Sequence, residues 1–420
     1  MAKIAVIGGG ISGAACAAML TAKGHHAVVH EKEKTPGGLV RCTTEDGNLF
    51  HRVGGHVFNS QDEQISQWFW SKFDRENEFL YAKRNAAISF EGAFVGYPVE
   101  QHLYQMQQEI VSAISKELLA LHVSQQSVVE ADNFFDFLLQ RFGPTLCEKY
   151  FIPYNSKIWN VNLREMPVSW LAGKLPMPSV SDIITSNILR STEKSMVHAH
   201  FFYPKQGGSQ FIIDRLLKDT EVKTNDPCSS IRIANGLSLN GSAYDAVIYT
   251  GDIRKLSAML PGGVTGMDAV NELKSNGTTT VLCSCDANPY SWVYIPDTSI
   301  PCHRMIMTGN FSQKNNAADL GANLTTCTVE FVGNVNRLEI ENALSALPLN
   351  PKMIAVNFEP NSYVIQEMNT RSSVASAREA LKPLGIWLCG RFAEWEYYNM
   401  DAAIASAARV TEEIHGRLRS

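Results

Sequence analysis

Residues 3–31 read KIAVIGGGISGAACAAMLTAKGHHAVVHE. The apolar run 3–7 predicts a short buried strand, and the small residues of 12–23 predict a helix that can pack closely on a sheet. Gly24 is a typical helix stop. Residues 27–31 predict a second strand. Strand, helix and strand in this order form the βαβ unit from which dinucleotide-binding domains are built.

The turn between the first strand and the helix carries Gly8, Gly10 and Gly13 in the spacing G-x-G-x-x-G. The first glycine makes the tight turn, the second lets a pyrophosphate approach the backbone, and the third lets helix and strand pack. The helix start at Ser12 offers N–H groups and a positive dipole to phosphate. Glu31 can accept hydrogen bonds from a ribose and would repel a 2′-phosphate, which argues against NADP. A glycine-rich turn in an ordinary α/β protein is the competing interpretation.

Residues 31–41 read EKEKTPGGLVR. They resemble the extended flavoprotein signature, in which a second glycine pair follows the ribose acid and lets the chain wrap a flavin. This resemblance favours FAD over NAD and adds Lys32, Gly38, Leu39 and Arg41 to the candidate cofactor contacts. A plain surface turn at 36–38 is the alternative.

Composition excludes several classes of protein. The 420 residues are 45% hydrophobic and 19% charged, which is typical of a globular protein and unlike a disordered chain. The net charge of -5 provides no global basic field for nucleic acid. No window approaches 18 consecutive apolar residues, so no membrane span is expected. The nine cysteines show neither a disulfide framework nor metal-ligand spacing, including Cys283 and Cys285, so we expect no metal site and a cytoplasmic protein.

The rest of the chain predicts an α/β fold with a discontinuous Rossmann-like domain. Helical periodicity at 61–72, 99–119 and 133–142 indicates a mostly helical insertion, and alternation within 278–311 and 326–367 indicates an antiparallel sheet. We therefore assign 1–60, 196–255 and 371–420 to the FAD-binding domain, 61–195 to the insertion and 256–370 to an antiparallel-sheet substrate domain.

A colinear series of further segments is similar to the UDP-galactopyranose mutase family. In chain order the segments are GGHVF (54–58), YNSKIW (154–159), EMP (165–167), YPKQGG (203–208), IYTG (248–251), IPCHR (300–304) and GRFAEWEYYNMD (390–401). A series in one order over most of the chain is evidence of ancestry and fold, and weaker evidence of substrate.

The resemblance implies an FAD-dependent enzyme that interconverts the pyranose and furanose rings of a sugar nucleotide. The reaction would pass through a covalent adduct of the sugar at N5 of the reduced flavin, with NADPH or NADH as an external reductant. Pro178 stands where the family has a second diphosphate-binding arginine, which leaves open a substrate other than UDP-galactopyranose. A homodimer is expected by analogy.

The resemblance also assigns roles to individual side chains. Its candidate catalytic residues are His56, Trp159, Arg304, Tyr363, Tyr397 and Asn399. Its further cofactor contacts are Gly55, His56, Gly390, Arg391, Tyr398 and Met400. Three of these have competing interpretations, since Trp159 can be a packing residue, His56 a buried structural histidine and Arg304 a surface ion pair.

Two other functions stay open. An FAD-dependent oxidase or dehydrogenase of the amine oxidase or protoporphyrinogen oxidase type shares the first domain and the second glycine pair. The absence of one phosphate-binding arginine favours this alternative modestly. A non-catalytic flavin-binding relative is the third hypothesis, and the retained segment 390–401 argues against it.

Overall fold

The computed structural model describes residues 1–124, 131–171, 178–190, 199–233 and 236–419. The first sixty residues form the predicted βαβ unit followed by a hairpin. Their elements are β1 (Lys3–Ile7), α1 (Ile11–Ala22), β2 (His26–His30), β3 (Cys42–Glu45) and β4 (Asn48–His51).

The next segment is mainly helical. Its elements are α2 (Glu63–Trp70), α3 (Arg75–Glu78), β5 (Phe79–Lys83), β6 (Ala86–Phe90), β7 (Ala93–Gly96), α4 (Gln108–Ser124), α5 (Phe134–Phe142), α6 (Pro144–Leu146), α7 (Ile152–Trp159) and α8 (Val180–Leu189). A π-helical turn, Cys147–Phe151, joins α6 to α7. The periodicity at 99–119 marks short 3-10 turns and the first part of α4 rather than one helix.

The remainder alternates between the two sheets described below. Its elements are β8 (His200–Pro204), α9 (Gln210–Leu216), β9 (Glu221–Lys223), β10 (Ile231–Arg232), β11 (Ser238–Leu239), β12 (Ser242–Ala243), β13 (Ala246–Tyr249), β14 (Ser275–Asp286), β15 (Trp292–Tyr294), β16 (Cys302–Ile306), α10 (Thr308–Phe311), β17 (Leu324–Val332), α11 (Arg337–Ala346), β18 (Lys352–Val364), α12 (Thr370–Leu381), β19 (Ile386–Leu388) and α13 (Met400–Arg417).

A parallel sheet in the order β19-β13-β1-β2-β9 forms the nucleotide-binding domain. It is buried on both faces, because Ile4 and Val6 of β1 pack in a core with α1, α9 and α13, whereas Ala5 and Ile7 pack in a second core with α12. Its strands come from three separate parts of the chain, which confirms the predicted discontinuous Rossmann-like α/β fold.

The second sheet has seven strands in the order β18-β14-β17-β16-β15-β6-β7. The helical segment covers one face of this sheet and α11 covers the other. Two features differ from the sequence-based expectation. β6 and β7 come from within 61–195, and β15 pairs with β6 in parallel, so the sheet is mixed. The overlooked signal is Glu91-Gly92, a two-residue hairpin turn in which both residues have positive φ.

The burial of α1 predicts that two leucines differ in their contribution to the free energy of unfolding. Leu20 of α1 has no exposed surface, whereas Leu338 of α11 is 67% exposed. We expect Leu20→Ala to lower the free energy of unfolding by roughly 2–5 kcal/mol, because it removes buried contacts and leaves a cavity. The matched control Leu338→Ala should change it by less than about 0.5 kcal/mol. Chemical denaturation measures both, and equal effects would contradict this packing.

Candidate functional site

The glycine-rich turn cannot accommodate side chains at its crossing points. A Cβ at Gly13 would lie 1.9 Å from the carbonyl oxygen of Gly8, and Gly8 has a φ of +100°. The second glycine pair packs on this turn, since the Gly37 N–H donates to the Gly9 carbonyl at 2.9 Å. A Cβ at Gly10 would be 3.7 Å from the Cα of Gly38. The two predicted glycine motifs therefore form one backbone surface at the start of α1.

Glu31 directly follows β2 and lies beside this surface. Its carboxylate accepts hydrogen bonds from the N–H groups of Gly9 at 2.7 Å and Glu33 at 2.9 Å, and only 5% of the residue is exposed. The neighbouring His30 was missed by sequence reasoning. Its ring contacts Asp226 at 2.7 Å and Tyr244 at 2.8 Å. The carboxylate of Glu31 and the ring of His30 are thus held in place by hydrogen bonds. Both residues line one end of a groove that runs along the glycine-rich surface.

A third loop, 389–400, closes the groove from the opposite side. Gly390 has a φ of +89°, and a Cβ there would lie 2.3 Å from Ser12 Oγ. The buried carboxylate of Glu394 accepts a hydrogen bond from the Gly390 N–H at 3.1 Å. Arg391 donates to the carbonyls of Tyr398 and Ser362, the latter at 2.9 Å. Because Ser362 belongs to β18, Arg391 joins the nucleotide-binding domain to the mixed sheet.

The structure brings nearly all of the predicted cofactor residues to this groove. Its lining includes Gly8, Gly10, Ser12, Glu31, Lys32, Gly38, Leu39, Arg41, His56, Arg391, Tyr398 and Met400. Gly13 and Gly390 lie against the lining residues Gly8 and Ser12, respectively. Gly55 lines a second cavity, here called the inner cavity, at the inner end of the groove.

The inner cavity adjoins the groove. Both are lined by Leu39, His56, Arg391, Asn399 and Met400. The predicted catalytic residues Arg304, Tyr363 and Tyr397 also line the cavity. Trp159 lies behind the last two, with its ring edge-on to Tyr363 at 6.1 Å and to Tyr397 at 5.9 Å between centroids. Five of the six candidate catalytic residues thus line one cavity, and Trp159 packs behind two of them, Tyr363 and Tyr397.

Arg304 is paired with a carboxylate that the sequence did not reveal. Glu330 contacts the Arg304 guanidinium directly, and Arg304 Nη2 donates to the Tyr363 hydroxyl at 3.0 Å. Burial alone would raise the pKa of Glu330, but the charge of Arg304 and the neighbouring His303 ring, whose Nε2 lies 3.4 Å from the carboxylate, outweigh it and lower the pKa to about 2. The carboxylate is therefore ionised at neutral pH. The surface ion pair considered as the alternative for Arg304 is instead formed with a buried carboxylate.

His56 lies between the groove and the cavity. Burial, reinforced by the charge of Arg391, lowers the pKa of its ring to about 4. Its Nε2 is buried and has no hydrogen-bond partner among the described residues. A neutral imidazole thus presents an unsatisfied nitrogen where the groove meets the cavity.

Three further cavity residues were missed by sequence reasoning: Arg84, Trp292 and Tyr294. Tyr294 is the direct cross-strand neighbour of Arg304, which in turn pairs with Glu330. Side chains at paired positions lie on the same face of a sheet. The alternation of Trp292 and Tyr294 was the available signal, but their partners depend on strand register.

Two basic residues near Pro178 in the chain, Arg190 and Lys205, could take the place of the missing arginine, but each has another partner. Arg190 stacks on Tyr104 at 5.3 Å, and Lys205 Nζ donates to the Glu76 carbonyl at 2.8 Å. Neither residue lines the cavity. Lys174 lies outside the described residues.

Lys157 ties α7 to the hairpin that carries Arg304. Its ammonium donates to the carbonyls of Ile295 at 2.9 Å and Cys302 at 3.0 Å, and to that of Asp297. Burial lowers the pKa of Lys157 to about 8. The wall that contains Trp159 and the strand that contains Arg304 are thereby joined directly.

The environment of His56 predicts a pH dependence of stability. The ordinary pKa of histidine is 6.5, and the folded value is about 4. Between these values the unfolded chain binds a proton that the folded chain does not, so this contribution is complete above pH 6.5 and is lost as the pH falls towards 4. We expect His56→Gln to reduce the loss of stability in that window by a few kcal/mol, on the order of 1.4 per pKa unit.

Denaturation at several pH values measures this slope. The exposed His200 provides the control, and His200→Gln should leave the slope close to that of the wild type. Equal slopes for His56→Gln and the wild type would contradict burial of a neutral ring.

Comparisons with known proteins agree with the motif series. A model described as an NAD(P)-binding Rossmann-like domain matches residues 6–73. The dTDP-fucopyranose mutase of Escherichia coli is 25% identical over 182 residues, which are 42% of this chain and 46% of that protein. A probable UDP-galactopyranose mutase of Klebsiella pneumoniae is 24% identical over 178 residues, 42% of this chain and 45% of that protein. The chain spans about half the length of the curated relatives it matches.

Solved structures extend the likeness to the whole chain. A crystal structure of reduced UDP-galactopyranose mutase matches with a TM-score of 0.87 at 20% identity, covering 99% of this chain and 96% of that chain. A putative protoporphyrinogen oxidase from Exiguobacterium sp. 255-15 matches with a TM-score of 0.75 at 18% identity, covering 99% of both chains. No helix among the described residues is long and apolar enough to cross a membrane. The chain therefore has the fold of UDP-galactopyranose mutase and is a distant sequence relative of sugar-nucleotide mutases, as the motifs predicted.

Proposed function

We propose that the protein is an FAD-dependent mutase that interconverts the pyranose and furanose forms of a nucleotide-activated sugar. The observation that carries this proposal is that the dinucleotide groove shares wall residues with a cavity lined by Arg304, Tyr363 and Tyr397. That arrangement suits a substrate with a negatively charged leaving group held next to the end of a cofactor. The names of the two sequence relatives support the same reaction class.

The residues of the groove fit FAD. Glycines at the Gly8–Gly13 turn, at Gly38 and at Gly390 leave backbone where a phosphate or ring must approach closely, and Glu31 is placed for a ribose. The buried Nε2 of His56 offers a hydrogen bond at the inner end of the groove. When bound and reduced, the flavin would supply the nucleophilic nitrogen of the reaction. NADPH or NADH is proposed as the external reductant.

The chain's own residues would bind and orient the substrate. Arg304 donates charge-assisted hydrogen bonds suited to a diphosphate, and ionised Glu330 fixes its orientation. The hydroxyls of Tyr363 and Tyr397, which line the same cavity, would donate to the same group; burial raises the pKa of Tyr363, so it keeps its proton. The stacked rings of Tyr363 and Tyr397, backed by Trp159, would keep water from the reacting carbon.

The charge of the cavity favours this function over an amine oxidase. Among the described residues that line it, three are arginines (Arg84, Arg304 and Arg391) and one, Glu330, is a carboxylate. A cationic amine would be repelled by such a lining, whereas a diphosphate would be attracted.

The close contact between Gly13 and the Gly8 carbonyl predicts that a substitution of Gly13 weakens cofactor binding. Gly13→Ala places a Cβ against the Gly8 carbonyl and should displace the turn, lowering the flavin content of the purified protein at least about tenfold. The matched control is Gly416→Ala in α13, where an added Cβ meets no atom within 4 Å. The ratio of flavin to protein absorbance measures both variants. Normal flavin content in Gly13→Ala would contradict the proposed binding mode.

The function itself is tested with dithionite-reduced protein and a panel that includes UDP-galactopyranose and dTDP-fucopyranose. We expect conversion between ring forms, read by NMR of the product, with no net oxidation of the flavin. Arg304→Gln should lower kcat/KM by roughly 10- to 100-fold through the loss of a charged hydrogen bond. Arg337→Gln, at an exposed position on α11, is the control. Absence of conversion together with anaerobic bleaching of oxidised protein by an amine would instead support the oxidase.

A further inference from the structure

Two cysteine thiols meet beside the glycine-rich end of the groove. Cys16 lies in α1 and Cys389 directly follows β19, and their Sγ atoms are 3.6 Å apart. Neither residue has exposed surface, and both are free thiols. The two sulfur atoms are in contact without a bond, since a disulfide would bring them to about 2.05 Å. A close pair of thiols thus connects the first helix of the chain to a segment 373 residues further on.

The thiol pair adjoins two of the segments that bound the groove. Cys16 is three residues beyond Gly13, and Cys389 immediately precedes Gly390. These segments already pack closely, since a Cβ at Gly390 would lie 2.3 Å from Ser12 Oγ. A bond between the two sulfur atoms would therefore join elements that are already in contact, and it would lie next to the backbone of the groove.

The surroundings of Cys389 provide a path for its proton. Its Sγ lies 3.4 Å from Ser406 Oγ, and the Ser406 hydroxyl donates directly to the buried carboxylate of Glu394. Because the hydroxyl hydrogen points to Glu394, the hydroxyl oxygen can accept the S–H of Cys389. Burial and the adjacent Cys389 raise the pKa of Cys16, which therefore keeps its proton. Cys389 is thus the thiol placed to react first.

We propose that Cys16 and Cys389 form a redox-active pair that hydrogen peroxide oxidises to a reversible disulfide. Peroxide takes two electrons from the Cys389 sulfur and yields a sulfenic acid and one water. The Cys16 sulfur then attacks the Cys389 sulfur, so that the S–S bond forms as the S–O bond breaks. The thiol proton leaves with the hydroxyl group as a second water. Two thiols and one peroxide thus give one disulfide and two waters.

The disulfide would hold the C-terminal part of the chain on its first helix. Because the two cysteines are 373 residues apart, the bond closes a loop that contains most of the chain and restricts the unfolded state. In the folded state it would hold Gly390 beside the start of α1. The oxidised protein should therefore resist unfolding better than the reduced protein. This inference does not depend on the proposed reaction.

Peptide mapping of the protein as purified tests the proposal without a variant. The protein is treated with hydrogen peroxide, free thiols are alkylated in denaturant, and trypsin is added. Cleavage after Lys and Arg gives the peptides 4–23 and 379–391, each with one cysteine. We expect mass spectrometry to find these two peptides joined, and separate after dithiothreitol. Recovery of both cysteines as alkylated thiols, or as sulfonic acids without the joined peptide, would overturn the proposal.

Thermal unfolding measures the stabilisation. Peroxide-treated wild type should unfold roughly 5 °C above the same sample after dithiothreitol, which leaves any methionine sulfoxide in place. Cys389→Ala should lose both the joined peptide and this difference. Cys147→Ala, at a buried cysteine of the helical segment, is the control and should keep both. Equal midpoints for the two wild-type samples, or a difference that persists in Cys389→Ala, would contradict a bond between this pair.

Discussion

The architecture depends on a close approach between backbones that leaves no room for a Cβ. The turn after β1, the Gly37-Gly38 pair and Gly390 come from three distant parts of the chain and meet around the start of α1. Their contacts set where β2 ends, where α13 begins and how the groove is bounded. Because protein interiors are densely packed, a shift of the backbone at these glycine contacts would also move the segments that line the groove.

In the cavity, the ion pair between Arg304 and the buried Glu330 fixes the positions of the neighbouring side chains. Breaking such a pair leaves an uncompensated buried charge, so each partner constrains the other. Tyr363 extends the pair to β18, and Arg391 connects β18 to the nucleotide-binding domain. The groove and the cavity therefore share one polar framework rather than lying on independent domains.

The local features of this molecule could be predicted from the sequence, since each signal lies within a short window. The βαβ unit follows from about 30 consecutive residues, and Arg304, Tyr397 and Asn399 are singled out because short segments resemble those of a known family. Glu330 and Arg84 could not be found in this way, because they reach the cavity through pairing of β6, β15, β16 and β17. Register between strands far apart in sequence is set by long-range packing, which no local pattern encodes. The hairpin of β6 and β7 differs in this respect, because its Glu91-Gly92 turn is a local signal that was overlooked within a mostly helical segment.

The order of the strands in the parallel sheet has a consequence for biosynthesis. β1 is central and is made first, but its neighbour β13 is made more than 200 residues later, and β19 and α13 follow only at 386–417. A nascent chain lacking that last stretch has neither Gly390 nor Met400, so the groove is open on one side. Binding of a dinucleotide in this groove would therefore have to follow translation of the whole domain, and incomplete chains released by the ribosome would expose the apolar inner face of α1.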